Sequence, residues 1–154
     1  MTPQTLLADQ IERIADSFAH FIQSTKEDAL GWRPEIPGSV GSRSVLEMAG
    51  ECTAVNLRFR AKLVGDEEPA VSEPELPSAE EATRAIRSSA RALAQTVRGL
   101  SDEALGAEYF HKGKQISGTD LIVGAYRNMA YHSGQVNLIQ MLKGDAEFHR
   151  PQSW

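Results

Sequence analysis

The apolar residues of this chain fall three and four positions apart in four separate segments, a spacing that points to helices. The first segment runs Leu7, Ile11, Ile14, Phe18, Phe21 and Ile22, the period of one helix face. Thr2 is placed to cap it, with Pro3 at the first helical position, where a missing N–H has no partner to lose. The helix is expected to fade near Lys26. A second helix begins near Ser44, carries Val45, Met48, Ala49, Cys52, Val55, Phe59 and Leu63, and stops at Gly65, a residue suited to the left-handed end of a helix. Ser78 with Glu81 fits a capping box and opens a third helix, with Ala82, Ile86, Ala90, Leu93 and Val97 on one face, to about Arg98. The fourth runs from about Ser117 to Lys143 with Ile122, Ala125, Met129, His132, Val136 and Ile139 as its stripe. Lys143 followed by Gly144 is a C-terminal signature.

The connections decide how four such helices are joined. "LGWRPEIPGSVGSRS" is dense in glycine and proline and reads as loop. From Leu63 to Thr83 there is no lysine or arginine, there are seven acidic residues, and Pro69, Pro74 and Pro77 exclude helix from most of the stretch. It reads as an extended, solvated linker, with docking to a basic partner as the alternative. A helix of ~20 residues is ~30 Å long, and the 13 residues from Gly65 to Pro77 span up to ~43 Å when extended. The chain can therefore return along the bundle before the third helix starts. The expected fold is all-α: a four-helix bundle, up-down-down-up, with a long crossover between the second and third helices, forming one domain over residues 1–154. "LSDEAL" adds a helical turn, and "AEYFHKGKQIS" reads as a hairpin turning at Lys112–Gly113 or as a plain loop.

Composition removes several functions. A net charge of −5 argues against nucleic acid, which requires a basic face, and against an anionic membrane surface. Nothing approaches the ~20 apolar residues of a membrane span. "MTPQTLLADQIER" has neither a basic start nor a sustained apolar run, and the single cysteine, Cys52, suits a reducing compartment. A soluble cytoplasmic protein is expected. No phosphate-binding glycine loop and no G-x-S-x-G elbow occurs.

The residue that raises a chemical question is His132, in the apolar stripe of the fourth helix between Met129 and Val136. Asn128 lies four residues earlier, on a neighbouring point of the same face, and Gln135 one turn beyond. Gly134 sits mid-helix, where it costs ~1 kcal/mol relative to alanine, so close approach of another helix is expected there. On the second helix Glu51 continues the series Met48, Glu51, Val55, Phe59. A carboxylate at the core edge needs a metal, a cation, a hydrogen-bond donor or water. Two readings stand: a metal site, or a hydrogen-bonded polar cluster in which protonated His132 pairs with Glu51 and Asn128 bridges them. His20 beside Asp16 and Ser17 is expected to be exposed, His111 in a turn and His149 in the polar tail, none with a partner at ligand spacing. Cys52 reads as a buried inert thiol, and Trp32 and Trp154 as packing anchors.

"SRSVLEMAGECTAVN", followed far downstream by "NMAYHSGQVNLIQML", resembles the DinB/YfiT-like superfamily of four-helix bundles, most specifically in "GWRPEIPGSVGSRSV" and "YHSGQ". The resemblance extends along nearly the whole chain. It implies a long crossover between the second and third helices, a homodimer, and Zn or Ni held by three histidines, one on the second helix and an H-x-x-x-H pair on the fourth. Some relatives are metal-dependent thiol transferases or isomerases. Carried over by position, the three histidines fall on Glu51, Asn128 and His132, so one of three is kept. Glutamate is a competent zinc ligand, whereas an amide oxygen suits harder ions. The expected function is therefore a DinB-like protein with a degenerate metal site, metal-free or weakly metal-binding, acting as a small-molecule-binding or interaction protein. The alternative is a divalent-metal-dependent enzyme of thiol transferase or hydrolase type working through an altered Glu51/Asn128/His132 site.

Overall fold

The computed structural model describes residues 1–154 except 36, 39, 40, 67–71 and 153. Among the described residues the chain is mostly helical, with six helices and one two-stranded sheet. Helix α1 spans Pro3–Gln23, with the Thr2 hydroxyl accepting from the Thr5 amide at 3.2 Å. A short turn of helix, α2, covers Glu27–Leu30. Helix α3 covers Val45–Val64. Its start is a capping box that sequence reading missed: the Ser44 hydroxyl accepts from the Glu47 amide while the Glu47 carboxylate accepts from the Ser44 amide. Gly65 ends it at φ 72, the left-handed conformation only glycine adopts without strain. Helix α4 covers Ala79–Arg98, and the Ser78 limb of its expected capping box forms. Helix α5, Asp102–Gly106, is the extra turn expected from "LSDEAL".

Strands β1, Glu108–His111, and β2, Lys114–Ser117, pair antiparallel with Tyr109 opposite Ile116. Lys112 and Gly113 form the turn at φ 48 and φ 82, as the mirror-image turn that matches strand twist requires. Ser117 then caps α6, Gly118–Leu142.

Each long helix packs on two others: α1 and α3 both lie against α4 and α6. Phe18, Ile22, Val45, Ile86, Leu93, Leu121, Ile122 and Met129 fill the space between, all under 2% exposed. Polar contacts fix which ends meet. Gln4 Nε2 donates to the Leu100 carbonyl and, at 2.7 Å, to Asp102, so α1 begins where α4 ends. Gln140 Nε2 donates to the Phe21 carbonyl at 3.0 Å, so α1 and α6 end together. Lys62 Nζ donates to the Phe110 carbonyl at 3.0 Å and Phe59 lies over Gly124, so α3 ends where α6 begins. No helix is long and apolar enough to cross a membrane.

Two expectations need correction. The acidic connector is not a free linker over its described part, and residues 67–71 of it, Pro69 among them, lie outside the described residues. Glu73 takes both guanidinium nitrogens of Arg43, at 2.5 and 3.0 Å, and Leu76 packs on the core. Pro74 lays its carbonyl over α3 at Gly50, where a Cβ would sit 2.6 Å from the oxygen. Gly134 has no close helix within the chain: a Cβ there would meet nothing within 4 Å.

Candidate metal centre and its flanking cavities

Glu51 on α3 and Asn128 and His132 on α6 are brought together, as their core-edge positions suggested. The antiparallel contact of α3 and α6 sets Glu51 level with one turn of α6, and the i, i+4 spacing of Asn128 and His132 aims both at it. His132 Nε2 lies 2.9 Å from Glu51 Oε2, and Asn128 Nδ2 donates to the same oxygen at 2.9 Å. Gln135 Oε1 holds His132 Nδ1 at 2.6 Å. Both ring nitrogens thus face oxygen acceptors, which suits an imidazolium; turning the Gln135 amide would suit the neutral Nε2–H tautomer equally. The His132 side chain is 10% exposed and that of Glu51 21%. Burial pushes the Glu51 carboxyl up, but the hydrogen bonds from His132 and Asn128 outweigh it and hold the group below its ordinary value.

Cys52 is the member that sequence reading left out. It is fully buried, with Sγ 3.3 Å from Asn128 Nδ2 and 3.9 Å from Glu51 Oε2. Burial, and then the neighbouring Glu51 carboxylate, push its thiol well above the ordinary range. Adjacent residues on a helix diverge by about 100°, so nothing in the order Glu51–Cys52 announces that both side chains reach one point.

The ligand atoms of Glu51, Cys52 and His132 lie within 4.8 Å of one another, close enough to hold a metal ion. In a tetrahedral zinc site with bonds of ~2.0–2.3 Å the ligand atoms lie ~3.3–3.8 Å apart, so the three side chains would draw in slightly around an ion. Carboxylate, thiolate and imidazole are all zinc donors, so the set fits a divalent ion once the thiol loses its proton. Asn128 presents its NH₂ rather than its oxygen, so here it serves Glu51 and would ligate only with its amide turned.

Two cavities flank this centre. One, of about 760 Å³, reaches His132 and Gln135 and is walled by Trp32, Met48, Ile139 and Leu142. Trp32 is thus a cavity wall, with Lys143 Nζ 5.7 Å from its ring centre. The other, of about 580 Å³, is bordered by Glu51 and Asn128 and opens toward the β1–β2 turn. The Arg43–Glu73 pair stands beside the centre, with Arg43 on the first cavity and Glu73 on the second. These two residues are 30 positions apart, and no local pattern links them.

The remaining aromatic and histidine residues have structural partners. His20 is half-buried rather than exposed, edge-on to Phe21. His111 lies edge-on to Phe59. His149 has a partner after all, Asp145 at 2.9 Å. Trp154 anchors the tail, its indole N–H donating to Ser17 at 3.0 Å.

No curated protein matches the chain at a significant level. A family model described as the DinB superfamily matches residues 10–136, from the second turn of α1 to the Val136 that follows the His132 turn, and so takes in every element that builds the centre. The chain belongs to the DinB superfamily.

Proposed function

We propose that this protein is an up-down-down-up four-helix bundle of one domain that binds a small molecule beside a degenerate, weakly metal-binding centre. The pairing of helix ends supports the topology. The cavity of about 760 Å³ that ends on His132 carries the functional reading, because its size and mainly apolar wall suit a small organic ligand. Glu51, Cys52 and His132 would hold a divalent ion, Zn or Ni, with Asn128 orienting the glutamate. The buried thiol must be deprotonated first, which opposes tight binding at neutral pH. The single cysteine is consistent with a cytoplasmic location.

The chain pairs as a homodimer in this reading. On the outer face of α6, Tyr131, Leu138 and Leu142 are 66%, 52% and 58% exposed, with Gly134 between them. Such a stripe suits a second copy of the same helix. Leu138 and Leu142 also border the cavity mouth, so the partner would narrow its opening.

Titration of the untagged apo-protein with Zn²⁺ and Ni²⁺, and separately with a neutral naphthalene probe, tests the reading. The probe is expected to bind saturably, one per chain, and to be excluded by Leu142→Trp, while the metals bind no tighter than micromolar. Absence of saturable probe binding refutes it.

The same cavity favours one second reading, a divalent-metal-dependent enzyme of thiol transferase or hydrolase type. A bound ion would supply Lewis-acid activation, with Glu51, Cys52 and His132 holding it and the cavity orienting the substrate. Nanomolar metal affinity lost in His132→Ala would favour this reading over the first.

A further inference from the structure

The second cavity, on the hairpin side of the centre, has a charge pattern opposite to that of the chain. Arg58 of α3, Arg127 of α6, and Lys112 and Lys114 of the β1–β2 hairpin all line it. Among the described residues none of these four forms an ion pair, in a chain whose net charge is −5. Of the acids on the same wall, Glu51 is engaged with His132 and Asn128 and Glu73 with Arg43, while Asp120 accepts from the Ser117 hydroxyl and keeps its charge, leaving the four cations in excess. Arg58 is the most telling. It is half-buried, and its Nε is fully enclosed with no hydrogen-bond partner. Leaving a buried donor of a charged group unmade costs about 1–3 kcal/mol or more, so the chain itself does not satisfy this guanidinium, and the part of it that lines the cavity is left to meet an anion there.

We infer that this cavity is an anion site, which takes the carboxylate or phosphate group of a small metabolite. Arg58 and Arg127 supply the planar donor forks that match either group, and Lys112 and Lys114 supply charge at the mouth. Arg58 lies seven residues from Glu51 on α3, about 10 Å along the helix. The anionic group therefore sits away from the Glu51 carboxylate while the rest of the ligand extends toward Glu51 and Asn128, which can take a hydroxyl or amine. The other arginine-rich surface, on α4, is a poorer candidate, because two of its three arginines, Arg84 and Arg87, are already paired with Glu80 and Asp16. The inference does not depend on the cavity beside His132, and anion binding without probe binding there would leave it standing.

Calorimetric titration of the intact chain with inorganic phosphate and with succinate, at fixed ionic strength, decides it, with succinamide as the uncharged comparison. One anion is expected to bind per chain, and its identity separates phosphate from carboxylate chemistry. Arg58→Gln is expected to weaken it about tenfold or more, the scale of one charge-assisted hydrogen bond. Arg127→Gln, at an exposed position, is expected to weaken it several-fold. Arg84→Gln leaves it unchanged. Failure of both anions to bind, equal binding of succinamide, equal affinity in Arg58→Gln and Arg127→Gln, or loss in Arg84→Gln would each overturn the assignment.

Discussion

Replacing Glu51 separates the two ways a carboxylate can serve a bundle interior. Glu51→Ala removes the acceptor for His132 Nε2 and for Asn128 Nδ2, each at 2.9 Å. Each buried donor left unmade costs about 1–3 kcal/mol. The 21% exposure of the Glu51 side chain lets water reach part of the gap, which favours the lower end. With the lost side-chain packing, a cost of about 2–3 kcal/mol is expected. Glu51→Gln keeps the volume and can satisfy both neighbours, its oxygen accepting from Asn128 and its NH₂ donating to a neutral imidazole. It loses only the charge assistance, about 1 kcal/mol. Urea unfolding at pH 7, followed by circular dichroism, measures both. The two variants should also differ from wild type in a pH-dependent way. The folded carboxyl is held below its ordinary 4.5, so its contribution is present above that pH and is lost as pH falls through the folded value. The gap between wild type and Glu51→Ala should therefore narrow in acid. Equal costs for the two variants, or a Glu51→Ala cost below about 0.5 kcal/mol, would mean that the carboxylate does not anchor its neighbours.

Introducing Glu51→His with Asn128→His places three imidazoles at one point. Calorimetry should then show far tighter Zn or Ni binding, lost again on His132→Ala, with about 2.7 kcal/mol of added stability at metal 100-fold above its dissociation constant. Gly134→Ala should raise the stability of the isolated chain by up to about 1 kcal/mol, since its Cβ meets nothing within 4 Å. If the chain pairs through this face as proposed, the same change should weaken self-association in sedimentation equilibrium, and an unaltered association constant would refute that contact. Gly50→Ala forces a Cβ to 2.6 Å from the Pro74 carbonyl and should cost about 1–3 kcal/mol in urea unfolding; a neutral result would show that the crossover yields easily there.

What could be read from the sequence was what is written within a few residues. Phe18, Ile86 and Met129 report a helix face because their neighbours repeat at three and four. Lys112–Gly113 reports its turn because glycine takes positive φ without cost. Asn128 and His132 were legible as one face of one helix. Glu51 could be placed at the core edge, but not at 2.9 Å from His132, since that distance depends on how far α3 and α6 slide along each other. Cys52 was hidden by being adjacent to Glu51, the spacing that ordinarily separates two helix side chains. The engagement of Glu73 with Arg43 joins a linker to a loop, neither of which carries a period. Gly134 misled because its cost is legible, while no neighbour within the chain comes close enough to require it.

The partners of α1 lie late in the chain: it packs on α4 and α6. During synthesis at ~5–20 residues per second, the face bearing Phe18 and Ile22 must wait roughly 4–15 s before the last turn of α4 exists to cover it. An up-and-down bundle would shelter its first helix as soon as the second was made. Closing the long intervening loop adds only about 0.6 kcal/mol for each doubling of its length, so the finished fold hardly registers the delay. The cost falls on the nascent chain, whose first apolar face stays open to chaperones and to other unfinished copies for seconds, and on the refolding rate, which the distant pairing slows relative to a bundle built from neighbours.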